Sequence, residues 1–190
     1  ESKNESAVPF GLISTQWGGT MVEMWQPNAS LNGGACLNAS GAKYAPSQNA
    51  RWDIDSGALW NGMVRPLTST TIKGALWYQG ENNVFQCEPT VGAPTGGPAA
   101  CGTVQDRTGY ACMMANLVAE WRAAWSATAG TTAADFPFGI VTLAGGTSEG
   151  HGSNMGAFRW AQAGSQGYLP SAALPNTFSA VAYDAGDPCS

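Results

Sequence analysis

Ile72-Lys-Gly-Ala-Leu-Trp-Tyr-Gln-Gly-Glu-Asn-Asn83 is the stretch that decides the fold. Its apolar run, Ile72 to Tyr78, ends abruptly in Gln79-Gly-Glu-Asn-Asn83, a turn loaded with amide and carboxylate groups. A buried strand that delivers polar side chains at its C-terminal end is how open α/β proteins build sites. Val8-Pro-Phe-Gly-Leu-Ile13 has the same design and runs into Trp17-Gly-Gly-Thr20. Phe138-Gly-Ile-Val-Thr-Leu143 and Phe178-Ser-Ala-Val-Ala-Tyr-Asp184 read as two further strands.

Helical patterns separate these runs. The best begins at Asp106 or Thr108 and extends to about Ala127, with Met113, Leu117, Trp121 and either Ala124 or Trp125 on one face. Leu59, Trp60, Met63 and Val64 form a second stripe, capped by Asp55 or Ser56 and ended by Pro66. Thr20-Met-Val-Glu23 matches a capping box, predicting two helical turns that Pro27 stops. Phe158–Ala163 reads as a short helix, residues 27–50 as a long surface loop, and residues 1–7 as mobile. Short, wholly apolar strands alternating with helices predict an α/β domain whose parallel sheet is covered on both faces. Such a sheet gathers the loops Trp17–Thr20, Gln79–Asn83, Ala144–Gly150 and Asp184–Asp187 at one edge.

Composition narrows the function classes. Across 190 residues only 11% are charged, the net charge is −5, and Lys plus Arg total 8. Nucleic acid and anionic membrane surfaces are therefore not expected partners. No apolar run reaches the ~18 residues of a membrane span, and no signal-peptide pattern is present. Sequons at Asn4, Asn28 and Asn38 lean towards secretion. So do Cys87 and Cys101, which flank a Pro/Gly-rich loop within 84–105 and would staple it. The compartment reads as extracellular or lysosomal. Five cysteines leave one thiol over, and the absence of a Cys-x-x-Cys pair, with one histidine in all, gives no metal site and no cofactor.

Gly18 and Gly19 precede a capped helix start, so their amides suit a developing oxyanion, although Gly-Gly before a helix also reads as a plain turn. Gln79 or Asn82 on the neighbouring strand end would supply a side-chain amide to the same point. Glu81 reads either as a general acid or base or as a loop support. His151, in a Gly/Ser-rich loop, reads either as the base of a Ser-His pair or as a surface residue. Trp17 stands at the mouth of the expected cleft. Arg159 fits either a carboxylate-bearing substrate or a helix-surface ion pair.

The blocks Pro9-Phe-Gly-Leu-Ile13, Trp17-Gly-Gly-Thr-Met-Val-Glu-Met-Trp25, Trp60-Asn-Gly-Met-Val-Arg-Pro-Leu67 and Trp77-Tyr-Gln-Gly-Glu-Asn-Asn83 together resemble the sialate O-acetylesterase family of SGNH hydrolases. Glu120-Trp-Arg122, Phe136–Ile140, Arg159-Trp-Ala-Gln162 and Pro175–Asp184 continue the resemblance in the family's order. It implies a three-layer α/β/α sandwich and hydrolysis of acetyl esters on sugars by a serine and a histidine. On this resemblance the oxyanion hole falls on Gly19 with Gln79 or Asn82, while Glu23 and Glu81 support the loops. The family's nucleophile block, upstream of Val8, and its histidine block, beyond Asp184, have no counterpart here. The expectation is a partial esterase domain over 8–190, incomplete at both ends and inactive alone. It would need the remainder of a precursor or another chain. The alternative is a non-catalytic glycan-binding or structural module on the same scaffold.

Overall fold

A computed structural model describes residues 9–37, 56–87, 101–144 and 154–182. The segment 1–7, Asn4, Asn38, His151, Cys189 and the loops 88–100, 145–153 and 183–187 lie outside them.

Among the described residues three parallel strands form one sheet: β1 (Ala75–Tyr78), β2 (Phe138–Thr142) and β3 (Thr177–Val181), in the order β1-β2-β3. The register sets Leu76 beside Gly139 and Gly139 beside Phe178, and it sets Trp77 beside Ile140 and Ile140 beside Ser179. α1 (Asn28–Asn32), α2 (Gly109–Trp125) and α3 (Asn154–Gln162) are the α-helices among the described residues. The parallel α/β class follows the sequence reading.

One face of the sheet carries the core. Met113, Leu117, Trp121 and Trp125 are buried along α2, as the periodicity requires. Trp121 packs edge-on against Trp77 of β1 at 5.6 Å and against Phe138 of β2 at 5.8 Å, and Trp25 meets Trp77 at 5.8 Å. Arg122 then locks helix to sheet: its guanidinium donates to the carbonyls of Phe136, Pro175 and Asn176 at 2.7–3.2 Å. Burial among those carbonyls lowers its pKa.

The opposite face carries Leu76, Tyr78 and Phe178, all exposed, and no helix covers it among the described residues. Chain order explains why α2 and α3 share the other face. Right-handed crossovers that step in one direction along a sheet, β1 to β2 to β3, place α2 and α3 on the same side. Leu76 and Phe178 close over Gly139, where a Cβ would come within 2.5–2.7 Å of them.

Several local expectations differ from the structure. Residues 9–16 form no strand, and Phe10 and Leu12 are 91% and 93% exposed. An apolar run becomes a strand only where a ladder partner exists, and none pairs with this one among the described residues. The capping box at Thr20 does not form. A 3₁₀ turn, Val22–Trp25, has no side-chain cap. Thr20 Oγ1 instead donates to Trp17 O at 2.8 Å and accepts from the Trp25 indole at 2.9 Å, while Glu23 is drawn inward. Pro66 does not end a helix: a π-helical turn, Trp60–Val64, passes into a 3₁₀ turn, Arg65–Ser69, with the proline in its first turn, where no donor is needed. Within the expected loop 27–50, α1 forms at Asn28.

Cys87 and Cys101 are bonded, as the flanked loop suggests, and a second disulfide, Cys36–Cys112, ties the segment after α1 to the first turn of α2. Cys87 and Cys101 are 14 residues apart, so replacing both by alanine should lower stability by about 3 kcal/mol. Urea unfolding of the oxidised proteins checks this. An unchanged midpoint would mean that packing alone already holds the ends of the loop.

Candidate active site

β1 ends at Tyr78, and the chain turns at once through Gln79 and Gly80. Gly80 sits at φ +145°, where a Cβ would collide with the Phe158 ring of α3. Only glycine lets the turn pass beneath that ring. The turn points Gln79 and Asn83 back into the protein and leaves Asn82 and Glu81 half-buried.

A buried network joins this turn to residues 19–25. Gln79 Nε2 donates to Thr20 O at 2.9 Å and to Asn83 Oδ1 at 2.7 Å. Asn83 Oδ1 also accepts from Val22 N at 2.9 Å, and Asn83 Nδ2 donates to Glu23 Oε2 at 3.0 Å. Tyr110 Oη donates to Gln79 Oε1 at 3.1 Å, which fixes the amide with its nitrogen towards Thr20. Gln162 Nε2 donates to Gln79 O and Val141 O, both at 3.2 Å, and its Oε1 accepts from Leu143 N at 3.1 Å. Sheet, α2, α3 and the Trp17–Trp25 segment are therefore held in one polar knot.

Gln79, Asn82 and the Trp17–Thr20 turn do converge. Asn82 Nδ2 donates to Gly19 O, and Gly19 lies at φ +76°, a backbone conformation that glycine adopts without strain. Gln79 has both amide hydrogens engaged and is 7% exposed. Asn82 is the outward-lying amide beside the glycine turn, one of its hydrogens on Gly19 O. Trp17, two residues before Gly19, is 45% exposed. Glu23, expected as a loop support, accepts from Asn83 with its side chain wholly buried.

Arg159 lies elsewhere. Its Nε donates to Leu143 O at 2.8 Å, and it lines a groove that includes neither Gly19 nor Asn82. Asn28 opens α1 half-buried, and its Oδ1 has no hydrogen-bond partner. Tyr110 and Asn83 were not singled out from the sequence. The local signal for Asn83 is its place in the Gln79–Asn83 turn, whereas nothing nearby marks Tyr110, 31 positions away from Gln79.

Burial pushes the Tyr110 hydroxyl up, with the negative charges of Glu81 and Glu23 adding to the shift. The unfolded chain releases this proton near the ordinary tyrosine pKa of about 10, while the folded state keeps it. The unfolded state then binds fewer protons, so stability falls as pH rises above about 10. Tyr110→Phe should remove about 1.4 kcal/mol per pH unit from that alkaline slope. Denaturation from pH 9 to 12 tests it, and equal slopes in the two proteins would refute the buried, protonated phenol.

No family model matches the chain. Over 182 residues, covering 94% of this chain, it is 33% identical to the sialate O-acetylesterase of Pongo abelii and equally to that of Homo sapiens. The sialate O-acetylesterase of Rattus norvegicus is 31% identical over 206 residues. This chain belongs to the sialate O-acetylesterase family. It spans about a third of its relatives' length, 30% of the Homo sapiens protein and 34% of the Rattus norvegicus one. Membership supports a carbohydrate esterase domain, and the two disulfides and the parallel sheet accord with it. Among the described residues no helix is long and apolar enough to cross a membrane, and no three His, Cys, Asp or Glu gather to hold a metal.

Proposed function

We propose that this chain carries the oxyanion-hole side of a carbohydrate O-acetylesterase. The supporting observation is the meeting of Asn82 with the Gly19 turn at the C-terminal edge of a parallel sheet. In this reading an acetyl oxygen seated beside Asn82 and the Gly19 turn takes the second Asn82 N–H and a backbone amide of the turn as it gains negative charge. Donors fixed beforehand by the surrounding network need no reorganisation when that charge develops. The serine nucleophile and histidine base are assigned to the remainder of a longer protein, since relatives are about three times this length. The domain is residues 8–190, with 84–105 as an insertion. Trp17 and Glu81 line the approach of an O-acetylated sugar. Secretion or a lysosomal-type compartment suits the two disulfides.

Acetyl release from O-acetylated sialic acid by the full-length protein, wild type against Gly19→Val, is the test. A β-branched residue is strained at φ +76°, so the turn must rearrange. Turnover is expected in the wild type, with at least a hundredfold loss in the variant. Undiminished activity in Gly19→Val would remove the oxyanion assignment. A full-length protein that bound the sugar without turnover would establish the non-catalytic module instead.

A further inference from the structure

α3 and β3 border an open groove of about 230 Å³ on the helix-covered side of the sheet. It starts at the sheet's C-terminal edge, between Gly156 in the first turn of α3 and the last residues of β2 and β3, Thr142 and Val181. From there it runs along α3 past Trp160 to Tyr168. That is smaller than the ~300–1,000 Å³ of a pocket for a whole drug-sized ligand, and is the scale of a single ring.

Its lining is unusual for this molecule. Trp160 and Tyr168 are 39% and 62% exposed, whereas Trp25, Trp60, Trp77, Trp121 and Trp125 are core residues. The Trp160 benzo ring lies on the backbone of Gly167, where a Cβ would come within 2.5–3.0 Å of three ring carbons. Gly167 is also at φ +73°, so glycine is required twice over at this point. The consequence is a flat aromatic surface held in one orientation. Across the groove, β3 presents Ser179, and Thr142 Oγ1 makes only a long 3.4 Å bond to Ala180 O. A fixed aromatic face opposite hydroxyl groups is complementary to a pyranose, with its apolar C–H face and its polar rim.

Position links the groove to the esterase site. β1, which ends in the Gln79–Asn83 turn, and β3 are separated by two strand spacings, about 10 Å. Both sites open on the same sheet edge. We propose that the groove is a subsite for a second sugar ring, so that an acetylated glycan chain is favoured over the free monosaccharide. This rests on the esterase reading above only for the word "acetylated"; the sugar-binding part stands separately.

Two measurements on the full-length protein keep those parts apart. In the first, kcat/KM is measured for O-acetylated sialyllactose and for 4-nitrophenyl acetate, which has no sugar. Trp160→Ala should lower the ratio of the two about tenfold, through KM, the size of one lost aromatic contact. Ser179→Trp, which fills the groove and keeps the platform, should lower it at least as far. An unchanged ratio in both folded variants overturns the proposal. In the second, saturation-transfer NMR with unesterified sialyllactose should show pyranose protons in contact with the wild type and not with Trp160→Ala. If the wild type hydrolyses neither ester, the esterase reading fails while this arm still decides the subsite. Equal transfer in wild type and variant overturns it.

Discussion

Asn82→Ala should cut kcat of the full-length protein by about 10²–10³-fold while barely moving its melting temperature. The magnitude is that of removing one fixed donor from a developing oxyanion, and Asn82 is favoured over Gln79 by its available hydrogen. Gln79 Nε2 already donates twice, to Thr20 O and Asn83 Oδ1, and its oxygen accepts from Tyr110. For Gln79 to turn towards a substrate, both donated bonds would have to break inside a buried network. Asn82 has one amide hydrogen on Gly19 O and lies half-buried at the same edge. Asn82→Asp is the sharper variant, being nearly isosteric yet without a side-chain donor when ionised. It should lose at least as much activity, because a carboxylate repels the charge that the site must stabilise. Gln79→Ala should behave differently, with a fall in melting temperature accompanying any fall in rate. If Asn82→Ala keeps more than a tenth of wild-type kcat, Asn82 is not the donor.

The contrast between Gln79 and Asn82 also marks how far the sequence could be read. The apolar run that breaks into Gln79–Asn83 identified a strand end bearing polar groups, and the spacing in α2 identified its buried face. Both depend on residues close together in the chain, whose periodicity is visible directly. Which amide faces inward depends on Tyr110, Gln162 and Glu23, drawn from three other segments, and no local pattern records such a meeting. The same limit explains Thr20-Met-Val-Glu23. Its local chemistry favours a capping box, yet Asn83 takes the carboxylate and the Trp25 indole takes the hydroxyl. Residues 9–13 form no strand for a related reason, since strand formation is decided by a partner, absent among the described residues, and not by composition. The side on which α2 and α3 pack was legible in principle, because strand order and crossover hand together fix it. Strand order, though, was not available from the sequence.

Asn83→Leu should be strongly destabilising, lowering stability by about 4 kcal/mol or more. The substitution nearly conserves volume, so the loss is polar and not a cavity effect. Asn83 is wholly buried and serves three groups at once: it accepts from Val22 N and Gln79 Nε2, and it donates to Glu23 Oε2. Each buried group left without a partner costs roughly 1–3 kcal/mol, and a carboxylate costs more. Those three groups belong to two different segments, residues 22–23 and the end of β1, so the change also unties the Gly19 turn from Asn82. The test is urea unfolding of Asn83→Leu beside the double variant Glu23→Leu/Asn83→Leu. Removing the Glu23 carboxylate as well should restore part of the loss, because exchanging both partners for apolar groups is far less damaging than exchanging one. If the double variant is less stable than Asn83→Leu by the full cost of a second independent core mutation, the two side chains are not coupled. The buried knot would then not be what holds the glycine turn against the strand.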